Sequence, residues 1–213
     1  MGIWLIYYGI AAANRDSYLH WFEGQHIDEK LARPGYDWAC HYEVTANDTP
    51  QADHSYIAMF GSESTRTFFD PNPAQIKPHQ NELTRSNIAH RINPTAAILT
   101  QEWCELPIAD KHHAHDTAVI NSPVIKLGIF APGIDDQQTV AWCAQQHFPA
   151  LSTSAGLIIA RKWLASFGAN RHMVVEEYCS ESTATASTGQ WQHQSAENLM
   201  MEPATATLRV FKQ

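Results

Sequence analysis

Two histidines of the sequence share one local motif, and both could move protons. His26 lies five residues after Trp21, and His147 lies five residues after Trp142, with the second pair 121 residues downstream. An imidazole titrates near neutral pH, so a histidine close to the end of a helix can serve as a general acid or base. We predict His26 and His147 as the leading catalytic candidates. The alternative is that each histidine and its tryptophan only fix the helix end onto a sheet.

A third imidazole, His41, is a weaker catalytic candidate. Residues 36–44 alternate between apolar and polar side chains, which is typical of a half-buried strand. His41 shares the polar face with Asp37 and Glu43. If the apolar face of this strand meets the helices, the polar set lines the space between two sheets; otherwise the polar set faces solvent. The sequence leaves both alternatives open.

Two adjacent carboxylates, Glu176 and Glu177, interrupt an apolar stretch that is predicted to be a strand. Neighbouring strand residues point to opposite faces, so one of the two carboxylates is expected inside the protein. A buried carboxylate needs a partner, and Arg161 on the neighbouring predicted strand could supply it. We interpret the pair as structural, and we keep Glu176 as a weaker candidate for a general base of raised pKa.

Aromatic side chains provide either the core or the walls of a ligand pocket. Core packing is the expected role of each, because a pocket requires several of them to converge on a gap. The candidates for substrate binding are Tyr8, Trp21, Trp142, Arg161 and Trp163. No metal site is predicted, because the histidine-rich run at 112–115 lacks recognisable ligand spacing. The sequence also has no phosphate loop, nucleophile elbow or dinucleotide motif.

An internal repeat predicts the elements that position these residues. Residues 3–8 align with residues 124–129, and both segments are apolar and strand-like. Each Trp–His motif is followed at the same offset by a stop of small residues, at 34–35 and at 155–156. Such self-similarity at a fixed period determines the architecture of the whole chain.

Each repeat is predicted to have the order β-α-β-β-α-β, which is the ferredoxin-like plan. The predicted fold class is therefore α+β, with one unit at residues 1–106, a linker at 107–121 and a second unit at 122–213. A four-stranded sheet with both helices on one face leaves its other face uncovered. We expect the two sheets to pack together into a barrel of the dimeric α+β type. The chain would then be a pseudo-dimer, and further homodimerisation is left open.

Hydrophobic periodicity and turn residues give the bounds of the predicted elements. The first unit is predicted to have strands at 3–9, 36–44, 55–60 and 96–106, and helices at 14–31 and 79–92. The second unit is predicted to have strands at 124–131, 157–165, 171–179 and 205–211, and helices at 135–151 and 190–201.

Composition and charge exclude several classes of protein. With 44% hydrophobic and 17% charged residues, the chain of 213 residues has the composition of a folded, core-rich protein. A net charge of −8 argues against nucleic acid or an anionic membrane surface as a partner. Residues 1–13 are apolar but lack the basic start of a secretory signal, and no segment has the length of a membrane span. Four isolated cysteines are typical of a reducing compartment, so we predict a cytoplasmic location.

The residues around the two histidines resemble a known family. The matching motifs are Trp21-x4-His26 followed by Pro34-Gly35, and Trp142-x4-His147-Phe148-Pro149 followed by Gly156. They are similar to the first helix and turn of EthD-like proteins, which belong to the dimeric α+β barrel superfamily. Members of that family are usually single units that dimerise. The first copy has Ile27-Asp28 in place of Phe148-Pro149, so the two halves can have diverged until one working pocket remains.

The resemblance implies a protein that binds or transforms a small apolar or aromatic organic compound. Barrels of this superfamily mostly house lyases, isomerases and monooxygenases that need no bound cofactor, together with some haem-binding relatives. Our first hypothesis is a cofactor-independent enzyme in which His26 or His147 transfers a proton. The alternatives are a non-catalytic ligand-binding or structural barrel protein, and a haem-binding barrel.

Overall fold

The computed structural model describes six stretches of the chain, at residues 1–47, 52–108, 119–130, 136–187, 197–203 and 209–210. Within these stretches the fold is a mixed α+β fold, in which helices pack on the outside of a curled antiparallel sheet. Among the described residues, no helix is long and apolar enough to cross a membrane. We call residues 1–106 the N-terminal half and residues 122–213 the C-terminal half.

The described part of the N-terminal half, which leaves out residues 48–51, contains four strands and four α-helices. Its strands are β1 (Gly2–Ile10), β2 (Trp38–Asn47), β3 (His54–Ser62) and β4 (Ile92–Glu105). Its helices are α1 (Arg15–Trp21), α2 (Ile27–Leu31), α3 (Pro73–Ile76) and α4 (Glu82–Ile88). A π-helical turn at Phe22–His26 joins α1 to α2, so the first helix of the half is continuous.

The described part of the C-terminal half contains five strands and three α-helices. Its strands are β5 (Val124–Ile129), β6 (Leu157–Phe167), β7 (His172–Tyr178), β8 (Glu197–Pro203) and β9 (Arg209–Val210). Its helices are α5 (Asp136–Trp142), α6 (Phe148–Leu151) and α7 (Glu181–Ala186). A π-helical turn at Cys143–His147 again joins the first two helices.

The strands of each half pair in the order expected for a ferredoxin-like unit. The order is β2-β3-β1-β4 in the N-terminal half and β6-β7-β5-β8 in the C-terminal half. The halves are joined where β4 pairs with β6 and where β2 pairs with β8, so the eight strands form a closed ring. The inner faces of the two sheets pack on each other in one shared core, as we expected, and the sheets also join edge to edge, which we did not expect. Pairing of this kind satisfies the main-chain groups of edge strands that would otherwise be exposed.

Three clusters of buried apolar residues fill the molecule. One cluster fills the inside of the strand ring, and both halves contribute to it through residues such as Leu5, Tyr42, Leu127 and Trp163. The other two clusters lie between the ring and the helices, one in each half. We call these two regions the N-terminal and C-terminal helix layers.

The structure corrects the predicted orientation of β2. The apolar face that carries Trp38, Cys40 and Tyr42 points into the ring, where the bulk of these side chains fills the central core. His41 therefore points to the N-terminal helix layer, where it contacts Phe22. Both alternatives for His41, a space between two sheets and open solvent, were wrong.

The end of the chain also differs from the prediction. Residues 197–201, predicted as part of a helix at 190–201, belong to strand β8, because this segment pairs with both β2 and β5 and closes the ring. Residues 190–196 lie outside the described residues. Of the closing strand predicted at 205–211, the structure describes a strand only at residues 209–210. Helix α7 was missed, although Ser180 caps it by accepting a hydrogen bond from the Thr183 amide.

Candidate functional site

The π-helical turns explain the spacing of the Trp–His motif. On a regular α-helix, residues five positions apart are separated by about 140°, so Trp21 and His26 would not share a face. In the structure the backbone N–H after each turn bonds to the carbonyl five residues earlier, and this wider turn rotates the two rings together. The ring centres are 4.5 Å apart for Trp21 and His26, and 4.4 Å apart for Trp142 and His147.

His26, a leading candidate, lies in an environment that disfavours protonation. Its side chain is buried, and its Nδ1 has no hydrogen-bond partner among the described residues. Burial, followed by the charges of Lys30, Arg91 and Arg33, lowers the pKa of His26 to about 2. The imidazole is thus neutral at physiological pH and a weak base. These surroundings suit a packing role beside Trp21 better than proton transfer.

His147, its counterpart, belongs to a network of buried polar groups. Its Nε2 lies 2.8 Å from Oε1 of Glu176, and the other oxygen of that carboxylate accepts a hydrogen bond of 2.6 Å from the Tyr178 hydroxyl. Lys126 Nζ lies 3.7 Å from the same oxygen and donates to the Ser187 hydroxyl. All the charged members are buried, and burial lowers the pKa of Lys126. The carboxylate of Glu176 is thus hydrogen-bonded to His147 and Tyr178, and the ammonium of Lys126 lies close enough to compensate its charge.

Glu177 and Arg161 form an ion pair inside the strand ring. Arg161 Nε donates to Glu177 over 2.8 Å, and the Ser122 hydroxyl donates to the other oxygen over 2.7 Å. The expectation that Arg161 would pair with one of the two adjacent glutamates is confirmed, and the partner is Glu177. Trp163 is fully buried in the same central core. Arg161 and Trp163 are therefore away from both histidines of the repeated motif.

The hydrogen-bonded chain that resembles catalytic machinery lies in the N-terminal helix layer. His41 Nδ1 lies 3.0 Å from Oε1 of Glu23, and His41 Nε2 lies 2.8 Å from the Tyr8 hydroxyl. A carboxylate only accepts, so Nδ1 carries the proton and Nε2 accepts from the phenol. The result is an acid–imidazole–hydroxyl relay, with the same order of groups as the catalytic triad of serine hydrolases.

The surroundings of this relay set its protonation states. Burial lowers the pKa of His41, although the hydrogen bond and charge of Glu23 act in the opposite direction. Burial also raises the pKa of the Tyr8 phenol well above its usual value. At neutral pH the relay therefore holds a neutral imidazole whose Nε2 lone pair accepts the hydrogen bond of a protonated phenol. This is the resting state needed for a general base.

Aromatic rings and one guanidinium surround the relay. The ring centres of Tyr18, Phe22 and Tyr56 lie within 6.4 Å of the Tyr8 ring. Arg91 donates from Nε to the Tyr18 hydroxyl over 2.8 Å, and its Cζ lies 4.5 Å from the Tyr8 ring centre. Its Nη2 is buried and has no hydrogen-bond partner among the described residues. The guanidinium can therefore donate to an oxygen atom of a ligand.

A second polar cluster forms the rim of the site. Glu43 accepts hydrogen bonds from Arg15 over 2.9 Å, from His54 over 2.8 Å and from Tyr56 over 3.3 Å. Burial acts to raise the pKa of Glu43, but the bonds from Arg15 and His54 hold it below its usual value. Tyr56 stacks on His41 with a ring-centre distance of 5.1 Å, so the rim supports the imidazole.

Sequence reasoning found two members of this site and missed two. Tyr8 and His41 were candidates, whereas Glu23 and Arg91 were not. Glu23 lies inside the π-helical turn. Recognition of that turn in the sequence would have led us to expect the Glu23 side chain to face β2. Arg91 follows helix α4, and no local pattern links it to Tyr8. Trp21 lies behind Phe22 in the same aromatic cluster.

The C-terminal helix layer has different groups at the corresponding positions. Lys162 occupies the position of His41, and its Nζ contacts Glu102 Oε2 and His172 Nδ1 at 2.8 Å. Phe130 takes the register position of Tyr8, and Ala144 the position of Glu23. Trp142 packs against Phe130 and His147. Among the described residues, the Glu–His–Tyr relay is therefore present in the N-terminal half and not in the C-terminal one.

Two shallow grooves lie on the C-terminal half, and neither reaches its buried polar network. One groove runs along the turn from residue 152 to residue 158, beside Cys179. The other lies between Trp103 and Phe148. Their walls are mostly apolar, so they offer few groups for chemistry.

The described residues hold no cluster of side chains of the kind that binds a metal ion. Among them, no group of three or more His, Cys, Asp or Glu side chains is placed to hold a metal ion. Both ring nitrogens of His41 and of His172 are in hydrogen bonds, whereas Nδ1 of His26 is not. The histidine-rich run at 112–115 lies outside the described residues.

Comparison with known proteins relates this chain to others by its fold. No protein-family model and no curated protein matches the sequence. An anthrone oxidase-like protein has a TM-score of 0.61 at 9% identity, with 100% of this chain and 94% of that chain covered.

Two further solved structures give the same result. A candidate chlorite dismutase has a TM-score of 0.58 at 12% identity, with 95% of each chain covered. A candidate monooxygenase from Fusobacterium nucleatum has a TM-score of 0.55 at 11% identity, with 100% of this chain and 98% of that chain covered. At such identities the similarity shows the fold alone, and that fold is the one of the dimeric α+β barrel proteins.

Proposed function

We propose that the protein catalyses proton transfer on a small aromatic compound, in the N-terminal helix layer and without a bound cofactor. The observation that carries this proposal is the Glu23–His41–Tyr8 relay, whose three positions hold Ala144, Lys162 and Phe130 in the C-terminal half. A buried relay of this kind has a cost in stability, since each polar group must be desolvated. A fold that manages without it in one half does not require it in the other.

The relay gives each group a separate role. Tyr8 accepts the substrate proton on its oxygen while its own proton passes to His41 Nε2. Glu23 stabilises the imidazolium that forms, because its carboxylate bonds to Nδ1. Arg91 binds the oxygen atom on which negative charge develops, and the rings of Tyr18 and Phe22 hold the aromatic body of the substrate.

The substrate class is proposed from the lining of the layer and from the neighbours. The rings around Tyr8 are fully buried and packed on one another, so we propose an aromatic substrate that replaces part of these ring contacts. One neighbour is described as anthrone oxidase-like. Anthrone has an acidic CH₂ group between two aromatic rings, so its deprotonation gives an aromatic oxyanion that Arg91 could bind. Loss of that proton is a first step common to isomerase, lyase and cofactor-free oxygenase chemistry.

The test is turnover of anthrone and hydroxylated naphthalenes, followed by absorbance. We expect the protein to accelerate anthrone consumption, and we expect His41→Gln to lower the rate by about 100-fold or more. The matched control is His172→Gln in the other half, which should keep the rate. Binding of these compounds without any acceleration would favour a non-catalytic binding protein. Equal rates for His41→Gln and for the unmodified protein would contradict the proposed role of the relay.

We also infer that the chain arose by tandem duplication of an EthD-like unit, with units at 1–106 and 122–213. The shared strand order, the repeated π-helical turn and the Trp–His ring contact in both halves support this origin. The ring formed by the two units would then be an intramolecular pseudo-dimer. A sequence profile built from homologues of one half should detect the other half, and failure in both directions would contradict duplication.

A reducing compartment fits the cysteines. All four are free, and burial raises the pKa of Cys40 and Cys143, which keeps these two thiols protonated and inert. We therefore propose a cytoplasmic location. Fractionation of cells that produce the protein tests it, and recovery from an oxidising compartment would contradict it.

A further inference from the structure

One residue of the N-terminal half has a backbone conformation that is rare for its type. Asn93, the second residue of β4, has a φ of 47°, and among the described residues it is the one non-glycine residue with a positive φ. Glycine is the usual residue in this left-handed region, and asparagine is one of the few others that adopt it readily. The Asn93 side chain is exposed. Packing of the side chain therefore does not account for the conformation.

The pairing of β1 with β4 changes register by one residue at this point. The pairs on either side of the change are Tyr7 with Thr95 and Gly9 with Ile92. Two residues of β4, Asn93 and Pro94, therefore lie opposite the single residue Tyr8, which is the arrangement of a β-bulge. Proline suits this position, because the extra residue of a bulge is left unpaired and proline has no N–H to pair.

The bulge decides which face of the sheet Arg91 occupies. Residues directly opposite each other on antiparallel strands share a face, and Tyr8 and Ile10 of β1 face the N-terminal helix layer. Counted through the bulge, Arg91 comes opposite Ile10, on the helix face. In unbroken register Arg91 would come opposite Ala11 and face the inside of the ring, because a slip of one residue exchanges the two faces of a strand.

The contacts of Arg91 agree with this placement. Its Nε donates to the Tyr18 hydroxyl over 2.8 Å, and its Cζ lies 4.5 Å from the Tyr8 ring centre and 5.7 Å from that of Phe22. Its main-chain N–H donates over 3.1 Å to the carbonyl of Ile88, at the end of helix α4. The residue is thus held between the end of α4 and the bulge.

The corresponding strand pair of the other half has no bulge in its described part. Strand β5 pairs with β8 in unbroken register, from Ile125 with Met201 to Ile129 with Glu197. The fold therefore does not require a bulge at this pair of strands. Bulges occur frequently next to active sites, where they redirect a side chain. The bulge of the N-terminal half lies opposite Tyr8, a member of the relay.

We propose that Asn93 is a positioning residue, whose left-handed backbone conformation maintains the bulge that holds Arg91 over the ring of Tyr8. Its effect on the reaction rests on the proposed function, in which Arg91 binds the oxygen atom on which negative charge develops. The position of Arg91 itself can be observed without a substrate. Asn93 acts through Arg91 and not on the substrate, so glycine should replace it, whereas alanine and valine disfavour a positive φ.

The first measurement is the Nε–H signal of Arg91 in the proton–nitrogen NMR spectrum of the folded protein without substrate, assigned by its loss in Arg91→Lys. The bond to the buried Tyr18 hydroxyl should make this proton exchange slowly with water. We expect Asn93→Val to accelerate the exchange by about 10-fold or more, and Asn93→Gly to leave it unchanged. Asn93→Ala takes the place of the valine variant if that variant does not fold.

A second left-handed residue supplies the matched control. Gly156 has a φ of 73° and precedes β6 in the C-terminal half. Gly156→Ala introduces the same kind of backbone strain there and should lower the melting temperature without changing the Arg91 signal. An Arg91 signal that is unchanged in Asn93→Val, lost in Asn93→Gly, or equally changed in Gly156→Ala would overturn the proposal.

Kinetics then connect the position of Arg91 to the reaction. We expect Asn93→Val to lower kcat/KM for anthrone by about 10- to 100-fold, mainly through kcat, and Asn93→Gly to stay within about 2-fold of the unmodified protein. A changed Arg91 signal with unchanged turnover would confirm the positioning role of Asn93 and contradict the role of Arg91 in the reaction. If the unmodified protein does not turn over anthrone, the proposed proton transfer fails, and the Arg91 signal still decides the role of Asn93.

Discussion

The two helix layers have the same backbone plan and different polar chemistry. In the C-terminal layer His147 is bonded to Glu176, and that carboxylate also bonds to Tyr178. In the N-terminal layer the register position of Glu176 is taken by Phe60, and the carboxylate beside His26 is that of the partly exposed Glu29, whose Oε2 lies 3.6 Å from Nδ1. The two rings of the repeated Trp–His motif pack against each other at the π-helical turn in both halves.

The relay is a polar network of the N-terminal layer, whereas the network around Glu176 belongs to the C-terminal layer. The N-terminal layer has Glu23, His41 and Tyr8 in line, whereas the C-terminal layer has Ala144, Lys162 and Phe130 at the corresponding positions. Lys162 is bonded to Glu102, to His172 and to a main-chain oxygen. Residues that both halves share therefore point to a role in the fold. Residues that differ between the halves are better candidates for a catalytic site.

The largest expected effect follows from copying the C-terminal layer into the N-terminal one. Tyr8→Phe reproduces Phe130 and removes the hydroxyl that would contact substrate. We expect kcat/KM for anthrone to fall by about 100- to 10,000-fold, with little change in melting temperature. The reverse change, Phe130→Tyr, should leave turnover as it is. Steady-state kinetics and calorimetry of both variants measure these effects. A Tyr8→Phe variant of full activity would contradict the proposed functional difference between the two halves.

The second prediction concerns stability in the C-terminal layer. Glu176→Leu removes the carboxylate that bonds to His147 and Tyr178, and leaves the buried Lys126 without its counter-charge. We expect the free energy of unfolding to fall by about 3–5 kcal/mol. Urea denaturation measures it. The double variant Glu176→Leu with Lys126→Leu should recover part of the loss, and no loss in the single variant would mean that the network is not a structural unit.

The third prediction concerns the buried amine of the N-terminal layer. Lys30→Leu copies Leu151, and we expect it to stabilise the protein at pH 7 by about 2–4 kcal/mol. The pKa of Lys30 is about 7 in the folded state, below the usual lysine value of the unfolded chain. The unfolded state therefore binds the extra proton between these values, and the stability of the unmodified protein should rise as the pH increases from 7 to about 10.5.

Denaturation curves at several pH values check this dependence. The Lys30→Leu variant should lose the part of the rise that Lys30 causes. Lys77→Leu on the surface is the control and should change little. Parallel pH profiles for the Lys30→Leu variant and the unmodified protein would contradict the burial argument.

The smallest effect is expected from His26. Its pKa is about 2 in the folded state, below the usual value of 6.5 in the unfolded chain. The unfolded state alone binds the proton between these values, so stability is lost as the pH falls below 6.5, by about 1.4 kcal/mol per pH unit. His26→Phe should remove this slope, which amounts to about 2 kcal/mol at pH 5. Unfolding at pH 7 and at pH 5 measures it, and identical slopes for both proteins would show that His26 is protonated in the fold.

The sequence was sufficient for the plan of the fold and for part of the site. The repeat at residues 3–8 and 124–129 predicted two β-α-β-β-α-β orders, and the strand pairings agree with it. The alternation in β2 was also correct. Its direction was not, because no local pattern tells whether an apolar face points to helices or into a ring closed by strands far apart in sequence.

Other errors have the same long-range origin. Residues 197–201 include Leu199, Met200 and Met201, which are good helix formers, but pairing with β2 and β5 outweighs this local preference. The angular separation of about 140° between Trp21 and His26 applies to a regular α-helix. The π-helical turn reduces this separation, so the two rings come into contact. Arg91 reaches the relay from the start of β4, and only the tertiary structure brings it there.

The most direct test of the central claim is hydrogen exchange at the CH₂ group of anthrone in D₂O without oxygen, followed by NMR. It observes the proton transfer itself, before any later step of the reaction. We predict that the unmodified protein accelerates the exchange, that Glu23→Ala with His41→Lys, which copies Ala144 and Lys162, abolishes the acceleration, and that Lys162→Gln retains it. Acceleration that survives the first variant, or that disappears only when Lys162 is changed, would contradict the placement of the chemistry in the N-terminal layer.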